Sequence, residues 1–416
     1  MTLIRTSLLN GVAVLVRMIT LLGINKIMAI YIGPVGYAIV GQFYNAVQMI
    51  TTFASGAINT GVVKYTAEHF DDEASQREVW KTAGTIAILG SCFSAILIAL
   101  FNKPLASIFL KDESLSGVFL WFAGSLPFFT LNAFLLAILN GKKEVKKYVI
   151  ANIAGSFFSF LLTGWLAYSY KLYGALIALG IYQSFSCIVT VLICLKTDWF
   201  KISFLFGKIN KKVAFKLASY TLMALTTAVC LPLSHILIRD YLGSNLGWPS
   251  AGLWESMWKF SSAYLMLVTT TLSVYYLPRI SELKNKDEVC YEIWRCFKII
   301  LPFVVLSSIG IFHLRDFIIT LLFTKEFLSI RSLFFWQLIG DTFKIASWLF
   351  SFVFLAKGFT RYYIFSEVIF SITFYFLIIL LVPYYGLEAT AISHAVNYSG
   401  YLIYVYWVLK REGYVK

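Results

Sequence analysis

Apolar runs long enough to cross a bilayer recur from one end of the 416-residue chain to the other. A helix needs roughly 20 apolar residues to span about 30 Å of hydrocarbon. Twelve runs meet that length, near 6–31, 36–64, 80–101, 116–140, 147–169, 173–195, 214–238, 250–277, 294–313, 332–356, 362–382 and 386–409. Pro, Gly and charged connectors separate them. Only 13% of residues are charged and 59% are hydrophobic, where a soluble domain carries about 25% charge. The expectation is an all-α integral membrane protein with twelve transmembrane helices. The opening MTLIRTSLLNGVAVLVRMITLLG is expected to stay in the mature chain, because its apolar run continues too far for a signal core, contains Arg17 and has no small-residue cleavage site.

Charge then orients the spans. Of 35 Lys and Arg residues, 24 fall on connectors of one side and 7 on the other, which predicts a multi-pass protein with both termini cytoplasmic. The net charge of +14 is scattered over short connectors rather than along one soluble face, so the membrane surface accounts for it and nucleic acid is not an expected partner. The connector KTDWFKISFLFGKINKKVAFK (196–216) is the most basic and divides the runs six and six. It predicts two pseudo-symmetric six-helix lobes, 1–205 and 206–416, with a cavity between them. Six cysteines lack Cys-x-x-Cys or Cys/His ligand spacing, so neither a disulfide framework nor a metal site is expected. No phosphate-cradling GxxxxGK[ST] segment occurs, and the loops are too short for a catalytic domain, so the chain is not expected to be an enzyme.

The remaining four cations, Arg17, Lys26, Lys259 and Lys344, sit inside runs. An ionisable group in mid-bilayer costs about 2.5–3.5 kcal/mol on insertion scales, so such residues face protein or water. Helical spacing groups them with other polar residues. Gln42, Asn45, Gln48, Thr52, Ser55 and Asn59 form one stripe; Glu255, Lys259, Ser262, Met266, Thr269 and Ser273 form another. Gln337, Asp341, Lys344 and Trp348 share a face of the tenth run, with Asp341 and Lys344 spaced to neutralise each other in part. Asn10, Arg17 and Asn25 share a face of the first, and Lys26 points away from it unless Gly23 kinks the helix. Lys64 and Glu367 lie near the inner surface. Structural readings stay open beside these: a polar stripe can bond helix to helix, and Glu255 with Lys259 can be an interfacial pair beneath an aromatic belt of Trp248, Trp254 and Trp258. The four histidines form no cluster in sequence, and none is assigned a proton-relay role.

The stretches YIGPVGY (31–37), GVVKYTAEH (61–69), SYTLMAL (219–225), SVYYLPRISEL (273–283), LRDF (314–317) and FFWQLIGDTFKIASW (334–348) resemble polysaccharide-unit flippases of the MOP exporter superfamily, nearest the Wzx type that serves O-antigen and enterobacterial common antigen. The resemblance runs from the first span to the twelfth. It implies a V-shaped, MATE-like pair of lobes around a cation-rich cavity in a bacterial inner membrane. The implied substrate is an oligosaccharide on undecaprenyl pyrophosphate, turned from the cytoplasmic to the periplasmic leaflet by alternating access; a polysaccharide polymerase and a chain-length regulator are the expected partners. By position, Arg17, Lys26, Lys64, Asp341 and Lys344 match the family's cavity residues, and the stripes add Asn45, Gln48, Glu255 and Lys259 as substrate-binding candidates. The common-antigen branch is expected to be uncharged at 255 and 259, which points to an O-antigen unit. Gly33, Pro34, Gly36 and Pro232 are the expected flex points. No cofactor is expected, but turnover needs a driving force, and proton or sodium coupling at Asp341, Glu367 or Glu255 would supply it. The alternatives are a cation-coupled drug exporter of the same superfamily and, further off, a membrane glycan polymerase.

Overall fold

A computed structural model of the chain describes residues 3–415, with side chains from Gly11 onward except at 219, 220 and 274. Asn10 lies outside the described side chains. No strand forms among the described residues. The helices are α1 (Leu3–Tyr31), α2 (Gly33–Ala54), α3 (Asn59–Glu68), α4 (Glu73–Leu100), α5 (Asn102–Leu105), α6 (Ser116–Gly141), α7 (Val145–Leu195), α8 (Lys211–Leu246), α9 (Trp248–Tyr264), α10 (Met266–Thr271), α11 (Leu277–Glu282), α12 (Lys286–His313), α13 (Arg315–Leu322), α14 (Phe334–Lys357), α15 (Thr360–Tyr385) and α16 (Glu388–Arg411). Among the described residues, eight helical stretches are long and apolar enough to cross a membrane.

Local chemistry sets the ends of these helices. Asp72 caps α4 by accepting from Ser75 N at 3.1 Å, and Asn285 caps α12 by accepting from Asp287 N at 3.0 Å. Gly358 ends α14 in the left-handed region at φ 71°. The second apolar run is not one helix: Gly56 and Ala57 both take positive φ, 64° and 51°, and break it between α2 and α3. α7 spans 51 residues, about 76 Å if straight, but its path reverses at Lys171 (φ 49°, ψ −126°). Phe158 meets Phe185 at 5.9 Å across the hairpin, and a Cβ on Gly174 would lie 1.9 Å from Leu166 O. The fifth and sixth runs are therefore two antiparallel helical legs of α7, joined by the non-helical backbone at Lys171.

The chain forms two compact units, one of residues 1–32 and 39–232, the other of residues 33–38 and 233–416. It passes between them inside α8, at Pro232, so residues 206–232, assigned from sequence to the second lobe, pack with the first unit. The first unit's core gathers Trp80, Phe134, Leu139, Phe200, Leu205 and Leu217. Polar bonds reinforce it: Trp80 Nε1 donates to Thr66 Oγ1 at 2.9 Å, and Thr190 Oγ1 donates to Asn132 Oδ1 at 2.8 Å between α7 and α6. The second unit has one core around Tyr276, Val289, Leu349 and Val405 and another around Ile238, Trp254, Phe374 and Ile378.

The eighth run is the most distorted. α9 ends at Tyr264, α10 follows, and Leu272–Tyr276 widens to π-helical winding before α11. These breaks shift the helical phase, so residues after 264 do not continue the face set by Glu255 and Lys259.

Candidate functional site

Asp341 is fully buried on α14, and its carboxylate is ringed by donors from three helices. Oδ2 accepts from Ser261 Oγ and Tyr264 OH of α9, each at 2.7 Å. Oδ1 accepts from Gln337 Nε2 at 3.3 Å, one turn back on α14, and lies 3.0 Å from His394 Nε2 of α16. An unpaired buried carboxylate would be prohibitively costly; four neighbours meet its lone pairs here. Gly340 makes this approach possible, since a Cβ there would stand 2.2 Å from His394 Cδ2.

Lys344, one turn further along α14 and 7% exposed, does not pair with Asp341 within 4 Å. The two charges stay one turn apart without contact, and aromatic rings surround the ammonium. The ammonium lies 4.7 Å from the Trp258 ring, 5.1 Å from Trp348 and 5.6 Å from Tyr398. Ring faces carry negative quadrupole potential, which supports a desolvated cation without cancelling its charge.

Trp258 leads from this cluster to a second. It meets His394 at 5.3 Å, His235 at 4.3 Å and Trp254 at 6.1 Å. Beyond Trp254, Glu255 pairs with Arg239 of α8, both buried, and lies 3.7 Å from Lys259 Nζ. Arg239 also faces Trp254 at 5.8 Å, and Lys259 Nζ stands 4.8 Å over the ring of Tyr37. The Glu255 carboxylate thus lies beside two cations, Arg239 and Lys259. Gly252 lets the 33–38 segment carrying Tyr37 press against α9: a Cβ there would meet Pro34 O at 1.7 Å.

The nine candidate residues fall in two groups. Glu255, Lys259, Asp341 and Lys344 share the second unit and join through the Trp254–Trp258 wall. Trp254 is buried, so the belt reading does not describe it. Arg17, Lys26, Asn45, Gln48 and Lys64 belong to the first unit. There Arg17 is exposed and Lys26 half-buried on α1. Asn45 is buried and donates from Nδ2 to Pro232 O at 3.4 Å, while Gln48 is exposed. Lys64 is exposed on α3 with its Nζ 5.4 Å over Tyr65.

Several functional side chains escaped the sequence. Arg239 counts there as an outside-connector cation, yet it is fully buried in α8. His394 has no histidine near it in sequence but reaches Asp341 through space. Ser261 and Tyr264 lie off the stripe that names Ser262, and Ser262 is exposed. A usable signal exists on α9, where Trp254, Trp258 and Ser261 recur at four and three residues.

Comparison with known proteins places this geometry in context. Residues 27–332 match the family model described as polysaccharide biosynthesis protein. The Lipid III flippases of Escherichia coli (strain K12) and Shigella flexneri are each 31% identical over 373 residues, covering 88% of both chains. Among solved structures, an inward-facing MATE multidrug transporter of the MOP superfamily superposes with a TM-score of 0.76 at 13% identity, covering 96% of this chain and 98% of that one. The lipid II flippase MurJ, in an inward closed conformation, gives 0.74 at 14%, covering 99% and 89%. The chain shares the fold of these transporters.

Proposed function

The chain belongs to the polysaccharide biosynthesis protein family, and from that premise we propose that it is a flippase, moving lipid-linked oligosaccharide across the membrane as a transporter rather than an enzyme. The observation that carries this reading is the 31% identity to Lipid III flippases along 88% of both chains. The buried chemistry of the second unit supports it: Lys344, held by ring faces, keeps its positive charge for an anionic head group. The substrate proposed is an O-antigen or related repeat unit on undecaprenyl pyrophosphate, taken from the cytoplasmic to the periplasmic leaflet of the inner membrane, with both termini cytoplasmic. Released units would pass to a polymerase under a chain-length regulator.

In the cycle proposed, the lobes alternate access about the substrate. Lys344 exchanges ring faces for phosphate oxygens, and Arg17, Lys26 and Lys64 offer further positive charge. Asp341 is the coupling carboxylate, and the proton is its ion. Its hydroxyl, amide and imidazole neighbours form one hydrogen-bonded set, which is suited to a movable proton. A proton on Oδ1 would turn the contact with His394 from a charge-assisted hydrogen bond into a neutral one and so loosen α16 from α14.

A drug exporter of the same fold is the second reading, and it draws support from structures only 13% identical. Deleting the gene separates the two. Lipid-linked oligosaccharide should accumulate on the cytoplasmic leaflet and clear on re-expression; unchanged glycan with altered drug tolerance would reverse the assignment. In a cysteine-free background, probes at Ser114 and Ser244 should label from the periplasm and probes at Lys142 and Lys208 should not.

A further inference from the structure

The connector between α7 and α8 has no part in the cycle above, yet it is firmly built. Phe200 and Leu205 are buried in the first unit's core. Gly207 exchanges two hydrogen bonds of 3.1 Å with the hydroxyl of Thr85, its N donating and its O accepting. Asn210 N donates to Thr82 Oγ1 at 3.2 Å, and its side chain donates to Glu78. Gly84 leaves room for Leu205 O, which a Cβ would meet at 2.1 Å. Trp199 donates to Glu144 at 3.2 Å. The segment is strapped to α4 from Leu205 to Asn210 and tied to Glu144 at Trp199.

Its other face is bare. Ile202, Phe206, Ile209 and Phe215 are exposed, Phe215 by 81%. Beside them stand Lys201, Lys208, Lys211, Lys212 and Lys216, all exposed. Lys212 N donates to Asn210 Oδ1 at 2.8 Å, but among the described residues the ammonium groups of Lys201, Lys208, Lys211 and Lys212 have no hydrogen bond, ion pair or ring contact. No acidic residue occurs between Asp198 and Asp240. Thr82 and Thr85 lie about 14 and 18 Å along α4 from Glu73, where its charges stop and its apolar run begins, so the bare face sits at a polar–apolar boundary.

We infer that this strap is a docking surface for anionic phospholipid. Lysines at a membrane boundary attract acidic head groups, and clusters of four to eight are the pattern that selects them. Apolar side chains set directly beside the lysines enter the acyl region as the ammonium groups meet phosphate. An acidic protein segment would match the charge but would leave Phe215 and Ile202 without a partner. The rigid strap fixes the lysines in register with one another, which lowers the ordering cost of binding.

The test uses full-length protein in phosphatidylcholine vesicles doped with a photoactivatable lipid, either phosphatidylglycerol or phosphatidylcholine, with cross-links mapped by mass spectrometry. Phosphatidylglycerol should label the 196–216 peptide at least about five-fold more than phosphatidylcholine, the ratio one lysine's attraction gives. The quadruple variant K201Q/K208Q/K211Q/K212Q changes only exposed side chains and should label equally with both lipids. The variant I202S/F206S/I209S keeps the charge and should lose labelling by both. Equal labelling of the unmodified peptide by the two lipids, or undiminished phosphatidylglycerol preference in the quadruple variant, overturns the inference and leaves an acidic partner as the occupant.

Discussion

His394 Nε2 of α16 stands 3.0 Å from Asp341 Oδ1 of α14, with both side chains buried in the second unit. The pair joins two helices that meet tightly because position 340 is glycine. It is also the contact that protonation of Asp341 would weaken.

Proton coupling is therefore expected to depend on this pair. Asp341→Asn should reduce transport driven by an imposed proton gradient by roughly ten-fold or more, the range of an ordinary coupling free energy. His394→Gln, which keeps an N–H donor, should lose less. Proteoliposomes with gradients of either sign measure this; an Asp341→Asn variant as responsive as the unmodified protein removes Asp341 from coupling.

Gly340→Ala should destabilise the second unit by about 1–3 kcal/mol, because the new methyl has no space beside His394. Gly310→Ala is the control, since nothing stands within 4 Å of a Cβ there. Thermal unfolding in detergent should show a lower Tm for the first and a Tm near the unmodified value for the second.

Arg239→Ala should be the costlier of the two cation removals around Glu255. Arg239 is fully buried, whereas the Lys259 side chain is 23% exposed. Breaking a buried pair costs about 3–5 kcal/mol, while a partly exposed one costs much less. Thermal unfolding of Arg239→Ala, Lys259→Ala and the triple change Arg239→Leu, Glu255→Leu and Lys259→Met checks this, and the triple change, which leaves none of the three charges, should recover much of the loss.

Lys344 and Asp341 should couple more weakly than a buried ion pair in contact. Their spacing on α14 suggests a pair, but Lys344 rests on rings and Asp341 on four donors. A double-mutant cycle of Asp341→Asn and Lys344→Met should give a coupling of about 0.5–1.5 kcal/mol, that of neighbours sharing Trp258 and His394. Coupling above about 3 kcal/mol would restore a direct ion pair.

The helical membrane architecture was legible because the bilayer imposes one length and one polarity on each span. The polar face of α14 was also legible, since Gln337, Asp341, Lys344 and Trp348 repeat with the helix. The partners of that face were not. His394, Ser261 and Tyr264 are remote in sequence, and only the packing permitted by Gly340 brings α16 to Asp341. Arg239 was misplaced because charge counting assigns a cation near the end of an apolar run to the connector, whereas α8 continues to Leu246 and buries it. The α9 face was misread where the helix breaks after Tyr264, because a uniform period carries the wrong phase across a break.

Flipping itself is the direct test of the central claim. The full-length protein is reconstituted into vesicles holding undecaprenyl-pyrophosphate-linked oligosaccharide with a fluorophore on the sugar, and an impermeant reductant is added outside. Without protein, roughly half of the fluorescence, that of the outer leaflet, should be lost. With the unmodified protein, loss should approach completion under a proton gradient, and Lys344→Met should hold it near the protein-free level with normal incorporation. Loss that stops at half with the unmodified protein, while an organic cation dye crosses the same vesicles, would contradict the account.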